Sequence, residues 1–209
     1  MRISLIQAPY WLGNPELPMA AGPTRIVEAG AAEALREAGN DVELASVEAA
    51  ELDSDDGYYF NEIKGSFAVV GLVAERVREA VERGSFPVVL ATNCLNTVGI
   101  VAGGSTDVGV VWFDAHADFS STETTPSGFL DGQGLSILTG TGWDALRQTI
   151  PGYRTVPERT SAWRRPPSRW FPRASSRAGS KPGSTPCASA WPTCISTSTW
   201  TSSTPAREW

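Results

Sequence analysis

The 209-residue sequence lacks any run of about 18 apolar residues, the length that a membrane-spanning helix needs. Its first residues also lack the long apolar core of a secretory signal. The three cysteines, Cys94, Cys187 and Cys194, are an odd number without disulfide or zinc-ligand spacing. These absences predict a reduced, cytoplasmic setting and no membrane partner.

Phosphate-binding loops are also missing. Gly103-Gly104-Ser105 and Gly140-Thr141-Gly142 have neither the P-loop layout nor the dinucleotide-binding layout of glycines. Both segments are interpreted as turns, so the glycines do not indicate a nucleotide site.

Charge is distributed unevenly along the chain. Residues 1–158 hold 9 Lys and Arg against 22 Asp and Glu, a net charge of −13, whereas residues 159–209 hold 8 against 1, a net charge of +7. The last 50 residues contain no Leu, Val, Asp or His but five of the eight Trp. Disordered tails normally avoid Trp, and folded segments need aliphatic residues. We therefore expect residues 159–209 to form an irregular or disordered tail.

Our hypothesis for this composition is a reading-frame shift near residues 158–160. If codons are regrouped by one base, TCN-type serines become Leu, Ile, Val or Phe, and threonines become Asp, His, Asn or Tyr. Trp200-Thr201 must then give Asp. The basic, Trp-containing tail imitates a single-stranded nucleic-acid surface. Because the shift would make this imitation an accident of codon usage, nucleic acid is not the expected partner.

Residues 1–150 alternate strand-like and helix-like segments. Helical spacing predicts one helix that is capped by Thr24 and reaches Ala38, and two more at 67–81 and 95–102. The acidic residues 48–62 are predicted to form a surface loop. This rhythm predicts an α/β fold with three αβα layers and a mainly parallel sheet. Short apolar runs place its strands at 3–8, 42–47, 87–91 and 108–113.

The most specific pattern is Asp114-Ala-His-Ala-Asp118, directly after the apolar run 108–113. Alternate side chains of an extended segment share one face, so Asp114, His116 and Asp118 can converge beyond the end of the strand. Open α/β sheets bind ligands at that edge. Two carboxylates and an imidazole suit Mn²⁺ or a similar divalent ion. We therefore predict a metal site at this motif. The alternative is that this short pattern binds no metal.

Residues 114–134 resemble the signature of the arginase/agmatinase/formiminoglutamase (ureohydrolase) family, in which D-A-H-x-D is followed by a Thr-rich loop and a Ser-Gly pair, here Ser127-Gly128. The resemblance spans roughly residues 1–158. It implies that they form the N-terminal part of an arginase/deacetylase-like domain, and that the fold is incomplete. The family's second Asp-x-Asp pair, which supplies two further ligands, has no counterpart after Asp118.

The resemblance implies two Mn²⁺ ions and a role for each motif residue. Asp114 would bridge both ions and activate water, while His116 and Asp118 would each complete one ion's shell. Ser120 and Ser127 would contact a small guanidino or formimino substrate. The resulting hydroxide would attack the substrate carbon and release urea or formamide together with an amine. Family members often form trimers or hexamers, so a homo-oligomer is compatible with the sequence.

Two positions depart from the family pattern. The family's first metal-binding histidine falls at Cys94, which can ligate metal as a thiolate or serve as a small buried residue. Asp131 stands where arginases proper carry a histidine thought to shuttle protons, which argues against a strict arginase. Three hypotheses remain open: a manganese-dependent hydrolase, an inactive frameshifted member with a vestigial metal site, and a nucleic-acid-binding protein that uses the basic tail.

Overall fold

The structure is a computed structural model that describes residues 1–48, 58–106 and 109–157, with side chains from residue 62 onward in the second range. The tail 159–209 and the expected frame change therefore lie outside the described residues, and so does most of the predicted acidic loop.

Three parallel strands form a sheet in the order β2–β1–β3. The central strand β1 pairs Ile3 with Val42 on one side and with Phe86 on the other. Each strand is a short apolar run, as expected where helices cover both faces of a parallel sheet. The predictions for 3–8, 42–47 and 87–91 are confirmed by β1 (Arg2–Ala8), β2 (Asp41–Ser46) and β3 (Phe86–Ala91).

Two helices, rather than the predicted single one, connect β1 to β2. After a 3₁₀ turn at Pro18–Ala21, α1 spans Gly22–Glu28 and α2 spans Ala31–Glu37. Gly30, with φ of 95°, separates them, because its left-handed backbone terminates the first helix. The prediction of Thr24 as the cap is wrong. Pro23 stands at the helix start, where its missing N–H costs nothing, and Thr24 lies inside the first turn.

Two further helices flank β3. Helix α3 spans Tyr58–Glu82 and α4 spans Asn96–Gly103, which confirms the helices predicted at 67–81 and 95–102. Helix α3 begins earlier than predicted, so residues 58–62 belong to it and not to a loop. Extending an existing helix by a turn costs far less than nucleating one, which favours the longer helix. A 3₁₀ turn at Asp131–Gln133, α5 (Gly134–Leu138) and α6 (Asp144–Arg147) follow.

Apolar clusters occupy both faces of the sheet. Alternate residues of β1 point to opposite faces: Ile3 and Leu5 pack towards α2, while Ile6 and Ala8 pack towards α3. A third cluster joins α3 to α4 and α5 through buried residues that include Phe67, Leu95 and Ile137. The predicted α/β architecture, with a parallel sheet between helical layers, is confirmed.

The fourth predicted strand, 108–113, is wrong for the described residues of that run. Residues 109–113 pair with no strand, and Val108 lies outside the described part. A strand exists only through a hydrogen-bonded neighbour, and none of the described strands lies beside this run. Val111 and Phe113 remain 46% and 61% exposed, whereas Val110 packs against the core.

Within the described residues, no helix is both long enough and apolar enough to cross a membrane.

Candidate metal centre

A cavity of about 710 Å³ lies beside the connection between β3 and α4. Cys94 from this connection contributes to its wall, as do Asp114, His116 and Asp118 from the motif and Asp131 from the following 3₁₀ turn. Cys94 comes three residues after the last residue of β3. The site therefore lies where parallel α/β sheets place their ligands, beyond the carboxyl ends of the strands.

Three potential metal ligands converge in this cavity. One ligand atom each from Cys94, Asp114 and Asp118 lies within 4.8 Å of the others. The Cys94 thiol donates a weak hydrogen bond to Oδ2 of Asp114 at 3.7 Å. The side chain of Asp114 is 0% exposed and Cys94 is buried. The structure thus brings together two of the predicted motif ligands and the cysteine.

The imidazole of His116 lies outside this cluster of three atoms. The His116 backbone N–H donates to Oδ1 of Asp114 at 2.9 Å, and Nδ1 lies 3.3 Å from the same oxygen. The side chain is 68% exposed. The backbone bends at Ala115 and His116, and Asp118 has a left-handed φ of 45°. Because the segment is not uniformly extended, alternate side chains do not all share one face.

Burial and mutual repulsion dominate the electrostatics of the cavity. Burial raises the pKa of the Cys94 thiol, and the charges of Asp131 and Asp118 raise it further. Burial likewise raises the pKa of Asp118, although its interaction with the nearby Cys94 thiol lowers it. Clustered acidic groups away from water are costly unless a cation compensates them, so these groups suit a divalent ion.

Asp131 lies in the cavity wall. The sequence marks it only as a departure from the family pattern and does not predict it as a site residue. One carboxylate oxygen accepts the Leu95 backbone N–H at 3.0 Å, which ties the 3₁₀ turn to the start of α4. Burial raises the pKa of Asp131 to about 6. The signal that could have revealed it is its place shortly after the Ser127-Gly128 pair, in a segment that carries the family signature.

The raised pKa of Asp131 predicts a specific pH dependence in the metal-free chain. Its carboxyl has the ordinary pKa of about 3.8 in the unfolded chain and a pKa of about 6 in the folded chain. Between these values the unfolded state releases the proton first, so the free energy of unfolding falls as pH rises, by roughly 3 kcal/mol in total. Asp131→Asn keeps an oxygen that can accept the Leu95 N–H. Because asparagine does not ionise, the variant should not lose this part of the free energy of unfolding as pH rises.

Urea unfolding in the presence of a chelator measures the effect. We expect Asp131→Asn and the parent chain to be equally stable near pH 4, and the variant to be more stable near pH 7.5. Asp41→Asn is the matched control, since the Asp41 side chain is 80% exposed. Equal differences from the parent at both pH values would contradict the prediction.

The two serines of the predicted site occupy different surroundings. Ser120 contributes to the cavity wall, its N–H donates to the Gly132 carbonyl at 3.1 Å, and its own carbonyl accepts the Ser136 hydroxyl at 2.6 Å. Ser127 is exposed, and its hydroxyl oxygen accepts the Phe129 N–H at 3.2 Å. The described lining of the cavity includes Ser120 and not Ser127.

Comparison with known proteins identifies the family. A sequence profile described as the Arginase family matches residues 1–166. The chain belongs to the arginase family. Arginase from Bacillus caldovelox is 33% identical over 158 residues, which cover 72% of this chain and 52% of the relative. Human arginase-1 is 32% identical over 144 residues, which cover 65% of this chain and 44% of the relative.

Solved structures agree with this assignment. The native structure of Bacillus caldovelox arginase superposes with a TM-score of 0.61 at 30% identity, over 73% of this chain and 53% of that one. Arginase from Entamoeba histolytica, at 22% identity and a TM-score of 0.59, shares the fold. This arginase-family chain spans about half the length of the curated relatives it matches.

Arginase-family proteins generally hold two metal ions. The number of ligand groups that converge in this chain indicates how many ions its site can hold. Two carboxylates and one thiol within 4.8 Å can hold one divalent cation. In the described part of this family member, no further ligand group joins those three. Within that part, the clustered groups therefore suit one cation, and no second cluster of ligands is present.

Proposed function

We propose that this chain carries the cation site of a manganese-dependent hydrolase that cleaves non-peptide C–N bonds in linear amidines. The substrate would be a small guanidino or formimino compound, and the products urea or formamide and an amine. The observation that carries the proposal is the convergence of Cys94, Asp114 and Asp118 in a cavity of an arginase-family chain. The relatives named arginase support the same substrate class.

The charge of the cavity favours a cationic substrate. Asp131 lines it beside Asp114 and Asp118, and its pKa of about 6 leaves it largely ionised at neutral pH. Amidinium groups are planar cations with several N–H donors, which pair well with carboxylates. We propose that Asp131 and Ser120 contact the substrate, and that Asp114 and Asp118 hold the metal.

The chain's own residues position the reacting groups. Asp114 is held by the His116 N–H on one oxygen, which leaves the other directed towards Cys94. A bound divalent cation would lower the pKa of a water molecule and so provide hydroxide at neutral pH. Leu95 orients the carboxylate of Asp131 in the wall of the same cavity. The roles of His116 as a ligand and Ser127 as a substrate contact remain proposals from the family pattern.

The test is product release by the complete 209-residue chain supplied with Mn²⁺. Arginine, agmatine, guanidinobutyrate and formiminoglutamate would be assayed for urea or formamide and for the amine, with a chelator-treated sample as control. We expect metal-dependent release from one of these compounds. If none reacts while the chain binds the cation, the second candidate function holds: an inactive family member with a vestigial site. The supply of ligands for one ion favours that candidate.

We also propose that residues 1–158 form the N-terminal part of the ureohydrolase-like domain and that residues 159–209 are translated out of frame. The family match ends at residue 166, close to the change in composition. Resequencing codons 155–165 of the gene tests the proposal, and relatives that keep the same uninterrupted frame through this region would overturn it. A cytoplasmic setting and assembly into a homo-oligomer belong to the same proposal.

A further inference from the structure

The side chain of Cys94 does more than fill space in the core, because its sulfur lies among the potential ligands of the cation site. Its sulfur is one of the three converging ligand atoms, and it donates to Oδ2 of Asp114 at 3.7 Å. The backbone around it is held in place, because the Leu95 N–H bonds Asp131 and a Cβ added to Gly134 would lie 3.3 Å from the Cys94 carbonyl carbon. Because this backbone is fixed and the sulfur contacts Asp114, the thiol is directed at the carboxylates.

A sulfur donor changes the metal that such a site prefers. Thiolates favour borderline and softer ions such as Zn²⁺ and Co²⁺, whereas oxygen donors suit Mn²⁺. One sulfur and two carboxylate oxygens also match the number of protein ligands in catalytic zinc sites, which keep a fourth position open for water or substrate. A coordinated thiol loses its proton outright, since the cation stabilises the thiolate.

We propose that Cys94 is a thiolate ligand in a single-ion site and that it increases the preference of this site for Zn²⁺ and Co²⁺ over Mn²⁺ beyond that of an all-oxygen site. The inference rests on the cation site of the proposed function and replaces its metal. On binding, the S–H bond breaks, a sulfur–metal bond forms and the proton passes to the solvent, with no change of oxidation state. The cavity then holds one ion between Cys94, Asp114 and Asp118.

The test compares metals on the complete chain with the two other thiols removed, as Cys187→Ser and Cys194→Ser. Co²⁺ reports directly on sulfur ligation, because a thiolate ligand produces a charge-transfer band in the near ultraviolet. We expect this band in the background chain and its loss in Cys94→Ser. Circular dichroism checks that both proteins have the same fold.

Affinities provide the second readout. Because nearly every site binds Zn²⁺ more tightly than Mn²⁺, the informative quantity is the ratio of the two affinities. Cys94→Ser should lower this ratio at least about tenfold. Mutating a residue that only supports a metal ligand already lowers metal affinity by about 10–100-fold. Cys94→His, which substitutes a nitrogen donor, should retain Zn²⁺ binding without the cobalt band.

The outcomes separate this inference from the proposed function. Cobalt binding without a charge-transfer band, together with an unchanged affinity ratio, overturns the role of Cys94 and leaves a carboxylate cation site intact. Failure of the background chain to bind any of the three metals overturns both proposals. If Cys94→Ser does not fold, the alkylation of Cys94 in the background chain is measured with and without Zn²⁺ instead. We expect bound Zn²⁺ to protect the thiol, and a thiol that is alkylated equally in both samples overturns the inference.

Discussion

Asp114→Asn is expected to lower the affinity of the chain for divalent cations by at least about 100-fold, because it removes one of the two carboxylates that we propose as ligands. Losing residues that only support ligands already costs about 10–100-fold, and a lost ligand should cost more. Asparagine retains one oxygen that can accept the His116 N–H, so the local backbone has no reason to move. Isothermal titration with Zn²⁺ and Mn²⁺ measures the loss.

Two controls distinguish this effect from general changes in charge or folding. Asp41→Asn alters an exposed carboxylate on β2 and should leave cation affinity unchanged. His116→Asn tests the motif residue whose imidazole is 68% exposed and lies outside the three converging ligand atoms, and the geometry predicts a smaller loss than for Asp114. Equal losses for residues 114 and 116 would show that the imidazole joins the ligands when the cation binds, contrary to this prediction.

Gly99→Ala is expected to lower the free energy of unfolding by about 1–3 kcal/mol, since it overpacks the contact between two helices. An added Cβ would lie 2.3 Å from the Val70 carbonyl oxygen and 3.2 Å from the Val73 Cβ. The obstacle on α3 is backbone, which cannot rotate away as a flexible side chain can. Gly103, one turn later on α4, makes a similar close approach to Ala74, so α4 would have to move as a unit.

Gly71→Ala is the matched control because it also places alanine in the middle of a helix. Its Cβ would meet only the Pro151 Cδ, at an ordinary 3.5 Å. Alanine is a better helix former than glycine by about 1 kcal/mol, so this variant should be as stable as the parent or slightly more stable. Urea unfolding followed by circular dichroism compares the two, and equal stability of both variants would refute the packing argument.

The predictability of the fold followed the strength of each local signal. The strands 3–8, 42–47 and 87–91 were predictable because a strand buried on both faces needs a compact apolar run. The break at Gly30 was less visible, since Val27, Ala31 and Leu35 keep helical spacing across it and all pack against the same cluster. The run 108–113 has an equally apolar pattern, yet its described residues 109–113 form no strand, because strand formation depends on a neighbour.

The sequence by itself determined the α/β class, the order of its elements and the chemistry of the Asp114–Asp118 motif, since hydrophobic period and residue type are local properties. Only the tertiary structure decided which groups meet. The connection after β3 brings Cys94 to the carboxylates, the 3₁₀ turn adds Asp131, and the imidazole of His116 stays outside the three converging ligand atoms and is 68% exposed. Convergence of side chains distant in sequence depends on how elements pack, which no single segment encodes.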